Sequence, residues 1–86
     1  MKNKSARILL VDDDELNLEI LVEYLKDEPY ELIRESDGGQ AVERLQKDPQ
    51  GFQALVLDRM MPGINGLEVL AQLKADEQLQ WLPVVM

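Results

Sequence analysis

Two apolar runs that each end on a carboxylate limit this chain to few folds. Ile8-Leu9-Leu10-Val11 leads straight into Asp12, Asp13, Asp14 and Glu15, and Ala54-Leu55-Val56-Leu57 leads into Asp58. Strands that are apolar at every position, rather than every second one, belong to a parallel sheet covered on both faces. An ionised carboxylate just past such a strand must be solvated, paired or bound to a cation. The sequence therefore predicts a layered core with an acidic cluster at one end of it.

The segments between these runs supply the covering layers. Leu16, Ile20, Leu21, Tyr24 and Leu25 have the spacing of one helical face, with Asp14 as the cap and Pro29 just past the end. Tyr30 to Ile33 is a mixed-polarity strand suited to a sheet edge. Asp37 and Gln40 have capping-box spacing and open a second helix through Ala41, Val42 and Leu45. Gly38-Gly39 is taken as a turn, because no glycine-rich phosphate loop motif surrounds it. Asp48-Pro49-Gln50-Gly51 is a second turn. Asn65 and Glu68 make another capping pair, opening a helix with Leu67, Leu70 and Leu73 inward. Trp81 is expected as a partly buried anchor before a last strand, Pro83 to Met86. Alternation β-α-β-α-β-α-β implies right-handed crossovers and a parallel sheet with helices on both faces.

Composition removes several functions. Histidine and cysteine are both absent, so imidazole bases, Ser-His triads, disulfides and thiolate metal sites are excluded. A net charge of −8 argues against nucleic-acid binding by this segment. No apolar run is long enough to span a membrane. The basic, polar start has no signal core, which points to a flexible tail over residues 1–6 of a cytoplasmic protein. At 86 residues the chain is one small domain or part of one.

In an open parallel sheet, ligands bind beyond the carboxyl ends of the strands. If the first and third strands are neighbours, Asp12, Asp13 and Asp58 converge there, and their mutual repulsion is expected to raise one or more of the pKa values unless a cation sits among them. All-oxygen donors favour Mg²⁺, with Mn²⁺ also suited. A carboxylate beside such a cation can attack phosphorus. Taken alone, Asp12 and Asp13 also suit the start of a helix through its dipole.

"ILLVDDDELN" and "LVLDRMMPGINGLEVL" resemble the two N-terminal signatures of response-regulator receiver domains. The resemblance extends from about Arg7 to the end and includes "LPVVM". It implies a flavodoxin-like α/β fold with sheet order 2-1-3-4, truncated after the fourth strand and lacking the family's fifth strand and last two helices. It further implies that Asp58 is the phosphoacceptor, with Mg²⁺ held by Asp13, by Asp12 through water, by Asp58 and by the backbone carbonyl of Met60. The partner would be a sensor histidine kinase or a phosphotransfer protein. No turnover of an external substrate is expected. The family's switch Ser or Thr and its phosphate-binding Lys have no counterpart in these residues, which predicts impaired switching.

Two other readings compete. A non-signalling assembly fragment would associate through the free fourth-strand edge, as a homodimer or swapped oligomer. An aspartyl-nucleophile phosphatase needs a second Asp two residues after the nucleophile, where this chain has Met60.

Overall fold

The computed structural model describes residues 6–58 and 65–86. Its elements run β1 (Ala6–Val11), α1 (Glu15–Leu25), β2 (Tyr30–Glu35), α2 (Gly38–Lys47), β3 (Ala54–Leu57), α3 (Gly66–Lys74) and β4 (Val84–Val85). The four strands form one parallel sheet, as the alternation of elements predicts, in the order β2-β1-β3-β4 that the family resemblance implies. β1 takes in Ala6 from the expected tail. Residues 1–5 and 59–64 lie outside the described residues, and with them the rest of that tail and the Met60 carbonyl.

Successive side chains of a strand point to opposite faces, and here both faces are used. Leu9 and Val11 of β1 join Leu55 and Leu57 of β3 under α2 and α3, with Ala41, Val42, Leu45, Val69 and Leu73 completing the layer. Ile8 and Leu10 face the other way, toward Leu18 on α1. Each fully buried leucine contributes about 1.5–3 kcal/mol by leaving water, so the larger layer carries most of the core. The α1 side is thinner. Ala54 and Val56 are only half-buried there, so β3 is fully covered on one face rather than both. One helix lies on that side among the described residues, and it packs over β1 and β2.

The helix starts follow the predicted caps. Asp14 accepts from the Leu16 N–H at 2.9 Å, and Asp37 accepts from the Gln40 N–H at 2.9 Å. Asn65 and Glu68 form a reciprocal capping box, each bond 3.0 Å long. Gly38 and Gly39 are not a separate turn but the first residues of α2.

Three packing expectations need correction. On α1 the inward face is Leu18 with Leu21, Val22 and Leu25, while Leu16, Ile20 and Tyr24 are 45% to 79% exposed. The helix carries two apolar stripes, and periodicity alone does not choose between them. On α3 the buried positions are Gly66, Val69 and Leu73; Leu70 is half-buried and Leu67 is 52% exposed. Val69 and Leu73 pack into the core cluster under α2 and α3, which leaves Leu67 on the outer side of the helix. Trp81 is not an anchor: Leu79 and Leu82 fill the core on either side of it, and Trp81 stands 80% exposed.

Candidate acidic phosphoryl and metal site

The pairing of β1 with β3 builds the site. Val11 and Leu57 are register partners, so the next residue on each strand, Asp12 and Asp58, lie side by side just past the paired segment. The backbone extends the ladder at this point: the Asp58 N–H donates to the Val11 carbonyl at 3.0 Å. On its other side the Asp12 N–H donates to the Glu35 carbonyl of β2 at 3.1 Å. Both acids are therefore held by the sheet rather than by a loop. Asp13 follows on the turn into α1 and is exposed.

Carboxylate oxygens of Asp12, Asp13 and Asp58 all lie within 4.8 Å of one another. The cluster is graded from inside to outside, with Asp12 only 6% exposed, Asp58 half-buried and Asp13 open to solvent. Burial pushes the Asp12 carboxyl above its ordinary value of 3.8, and the charges of Asp58 and Asp13 push it the same way. Hydrogen bonds from the Asp14 backbone and the Asn17 side chain pull against that rise without cancelling it. The Asp14 N–H donates to Asp12 Oδ1 at 2.9 Å.

A divalent cation answers the chemistry of this arrangement. Three oxygen donors of like charge repel one another when empty and become ligands when a small hard cation joins them. The donor set contains neither sulfur nor nitrogen, as Mg²⁺ or Mn²⁺ prefers. The geometry therefore brings together the three predicted acids. Asp14 stays outside the cluster, spent on its cap, and Glu15 belongs to the first turn of α1.

Asn17 is the site residue that the sequence reading missed. It lies in the first turns of α1 and hydrogen-bonds the Asp12 carboxylate. Its signal was present as a lone neutral amide in the acidic stretch Asp12 to Glu15 and Leu16-Asn17.

Similarity to known proteins agrees with this geometry. The chain is 38% identical over 85 residues to chemotaxis protein CheY-3 of Vibrio cholerae, covering 98% of this chain and 64% of that protein's length. It is 40% identical over 82 residues to the response regulator PleD of Caulobacter vibrioides, covering 95% of this chain and 18% of PleD. Among solved structures, the bacteriophytochrome response regulator AtBRR superposes with a TM-score of 0.87 at 31% identity, over 98% of this chain and 66% of that one. A response regulator from Chloroflexus aurantiacus superposes with a TM-score of 0.87 at 30% identity, over 94% and 65%. These 86 residues thus span less than two thirds of CheY-3, the first of these relatives. With the strand order, the strand-end acids and these likenesses together, and with the response regulator receiver domain model matching residues 8–86, the chain belongs to the receiver-domain family of two-component response regulators.

Proposed function

We propose that Asp58 accepts a phosphoryl group from a sensor histidine kinase or a phosphotransfer protein, with Mg²⁺ held by Asp13 and Asp58 directly and by Asp12 through water. The observation that carries this reading is the convergence of those three acids within 4.8 Å on adjacent strand ends. An Asp58 oxygen attacks phosphorus in line with the P–N bond of a phosphohistidine. The O–P bond forms as the N–P bond breaks, and the departing imidazole nitrogen keeps the electron pair and takes up a proton. A bound divalent ion supplies the positive charge that lets a phosphoryl dianion approach three carboxylates. Asp12 is held by backbone and by Asn17, so it keeps its direction while charge rearranges beside it. The backbone carbonyl of Met60, a family-implied ligand, lies outside the described residues. The acceptor is the chain's own side chain, so this is a signalling module rather than an enzyme of external turnover.

We place the donor's docking surface on α1. α1 begins beside the acids and presents its exposed stripe Leu16, Ile20 and Tyr24, which with Glu19 and Glu23 lines a groove of about 470 Å³. We assign that groove to a helix of the phosphodonor, laid along α1 with its histidine over Asp58. Among the described residues β4 pairs with β3 alone, and Val85 and Met86 are exposed, which supports weak association of two copies at that edge. A strand of two residues offers few backbone bonds, so this contact ranks behind the phosphoryl reading. The family's switch hydroxyl and lysine have no counterpart in these residues, so the 86-residue chain is expected to switch poorly.

The test is labelling with a small phosphodonor such as phosphoramidate, read by intact mass. One phosphoryl group should appear with Mg²⁺, disappear with EDTA and be absent from Asp58→Asn. A folded wild-type chain that takes no label, or an Asp58→Asn variant that still takes it, overturns the assignment. The first outcome would favour the assembly reading.

A further inference from the structure

Trp81 has no role in phosphoryl chemistry, yet it is the most exposed large apolar side chain described, at 80%. Its segment is held by backbone hydrogen bonds and by buried neighbours. After α3 the backbone winds through Asp76 N–H to Leu73 O at 3.1 Å, Leu79 N–H to Asp76 O at 3.1 Å and Leu82 N–H to Leu79 O at 3.0 Å. Leu79 and Leu82 are locked in the core on either side. The indole is therefore held out on a fixed support, and little further ordering is needed when something binds it.

Around Trp81 lies a groove of about 520 Å³, lined also by Asp48, Pro49, Gln50, Glu77 and Gln78. Among the described residues the lining holds two carboxylates and no cation. Asp48 shares its charge with Arg7 at 3.5 Å, whereas Glu77 has no ion-pair partner among the described residues. Lys74, at the end of α3, donates to the Gln80 carbonyl at 3.3 Å and does not line the groove. An indole face flanked by the carboxylates of Glu77 and Asp48, on a chain of net charge −8, selects a cation, and tryptophan is the best of the aromatic residues for this contact.

We propose that the Trp81 groove docks a basic segment of a partner protein, with an arginine or lysine stacked on the indole and held by Glu77 and Asp48. The groove is built from the connections entering β3 and β4, and both strands are parallel, so it sits at the opposite end of the sheet from Asp58. A partner bound there leaves the acidic site open. The chain would then hold one partner while exchanging phosphoryl groups with another.

The experiment titrates the chain with an acetylated, amidated Arg-Gly-Arg-Gly-Arg peptide, following Trp81 emission, since the chain has a single tryptophan. Calorimetry follows the variants, with circular dichroism to establish that each is folded. The arginine peptide should bind saturably, and a Glu-Gly-Glu-Gly-Glu peptide should not. Trp81→Ala should weaken binding about 10-fold, the size of a partly desolvated cation–π contact. Glu77→Gln should weaken it about 2–5-fold, the size of an exposed ion pair. Glu28→Gln, an equal loss of charge elsewhere on the surface, should leave the affinity unchanged, as should Asp58→Asn. The proposal is overturned if Trp81→Ala binds as wild type does, or if Glu28→Gln costs as much as Glu77→Gln. It is also overturned if light scattering shows a dimer that Trp81→Ala turns into a monomer, since Trp81 would then be covered by a second copy of the chain.

Discussion

Asp12→Asn is the sharpest perturbation of the acidic site, because it removes one charge while keeping the side-chain oxygen that accepts from Asp14. Three contributions compete. Repulsion from Asp58 and Asp13 acts across no more than 4.8 Å; for each pair this is about 1 kcal/mol at the dielectric of water and about 3 kcal/mol at a partly buried site. Burial of a charged carboxylate at 6% exposure adds to that cost. Against both stand the hydrogen bonds from Asp14 and Asn17, each about 1 kcal/mol weaker to a neutral acceptor. The Asp12 pKa is raised overall, so the unfavourable pair wins. Asp12→Asn should therefore stabilise the cation-free chain by about 1–2 kcal/mol at pH 7, once the opposing contributions are set against each other.

The pH dependence has a definite sign. A raised pKa means that the folded chain binds the proton more tightly than the unfolded chain does, so stability falls as pH rises. For wild type that loss begins near the ordinary value of 3.8 and is complete above the folded pKa. The gap between Asp12→Asn and wild type should close in acid, where Asp12 is protonated in both states. Urea unfolding in EDTA across this range measures it. Adding Mg²⁺ at about ten times its dissociation constant should return about 1.4 kcal/mol to wild type and less to the variant. A variant less stable than wild type in EDTA at pH 7, or an equal gain from Mg²⁺, would refute the reasoning.

Asp13→Ala should raise the Mg²⁺ dissociation constant at least about tenfold, because a unit charge lost near a divalent ion costs about 2 kcal/mol even in water. Asp14→Ala should instead cost about 1 kcal/mol of stability through its cap and barely change Mg²⁺ binding, as amide chemical shifts during titration would report. In the core, Leu55→Ala should cost about 2–5 kcal/mol in urea unfolding. Leu67→Ala, on the exposed side of α3, should stay within about 0.5 kcal/mol.

The sequence by itself determined everything that is local or nearly so. Continuous apolarity in Ile8–Val11 and Ala54–Leu57 marked the two central strands, because a strand inside a helix-covered sheet turns apolar side chains to both faces, although Ala54 and Val56 are only half-buried. Asp14, Asp37 and Asn65 were legible as caps because each bonds a backbone N–H two or three residues away. The three acids could be singled out by their place after those strands and by the family signatures around them. Their meeting depended on the Val11–Leu57 register, which is a contact between residues far apart in the chain. The same distinction explains the errors. α1 and α3 each carry more apolar residues than one face can bury, so what lay opposite chose Leu18 over Leu16 and Val69 over Leu67. Trp81 turned outward because Leu79 and Leu82 took the places beneath it. Asn17 became a site residue only when the start of α1 brought its amide to Asp12. Periodicity states which residues can be buried, but the space left by the rest of the core decides which of them are.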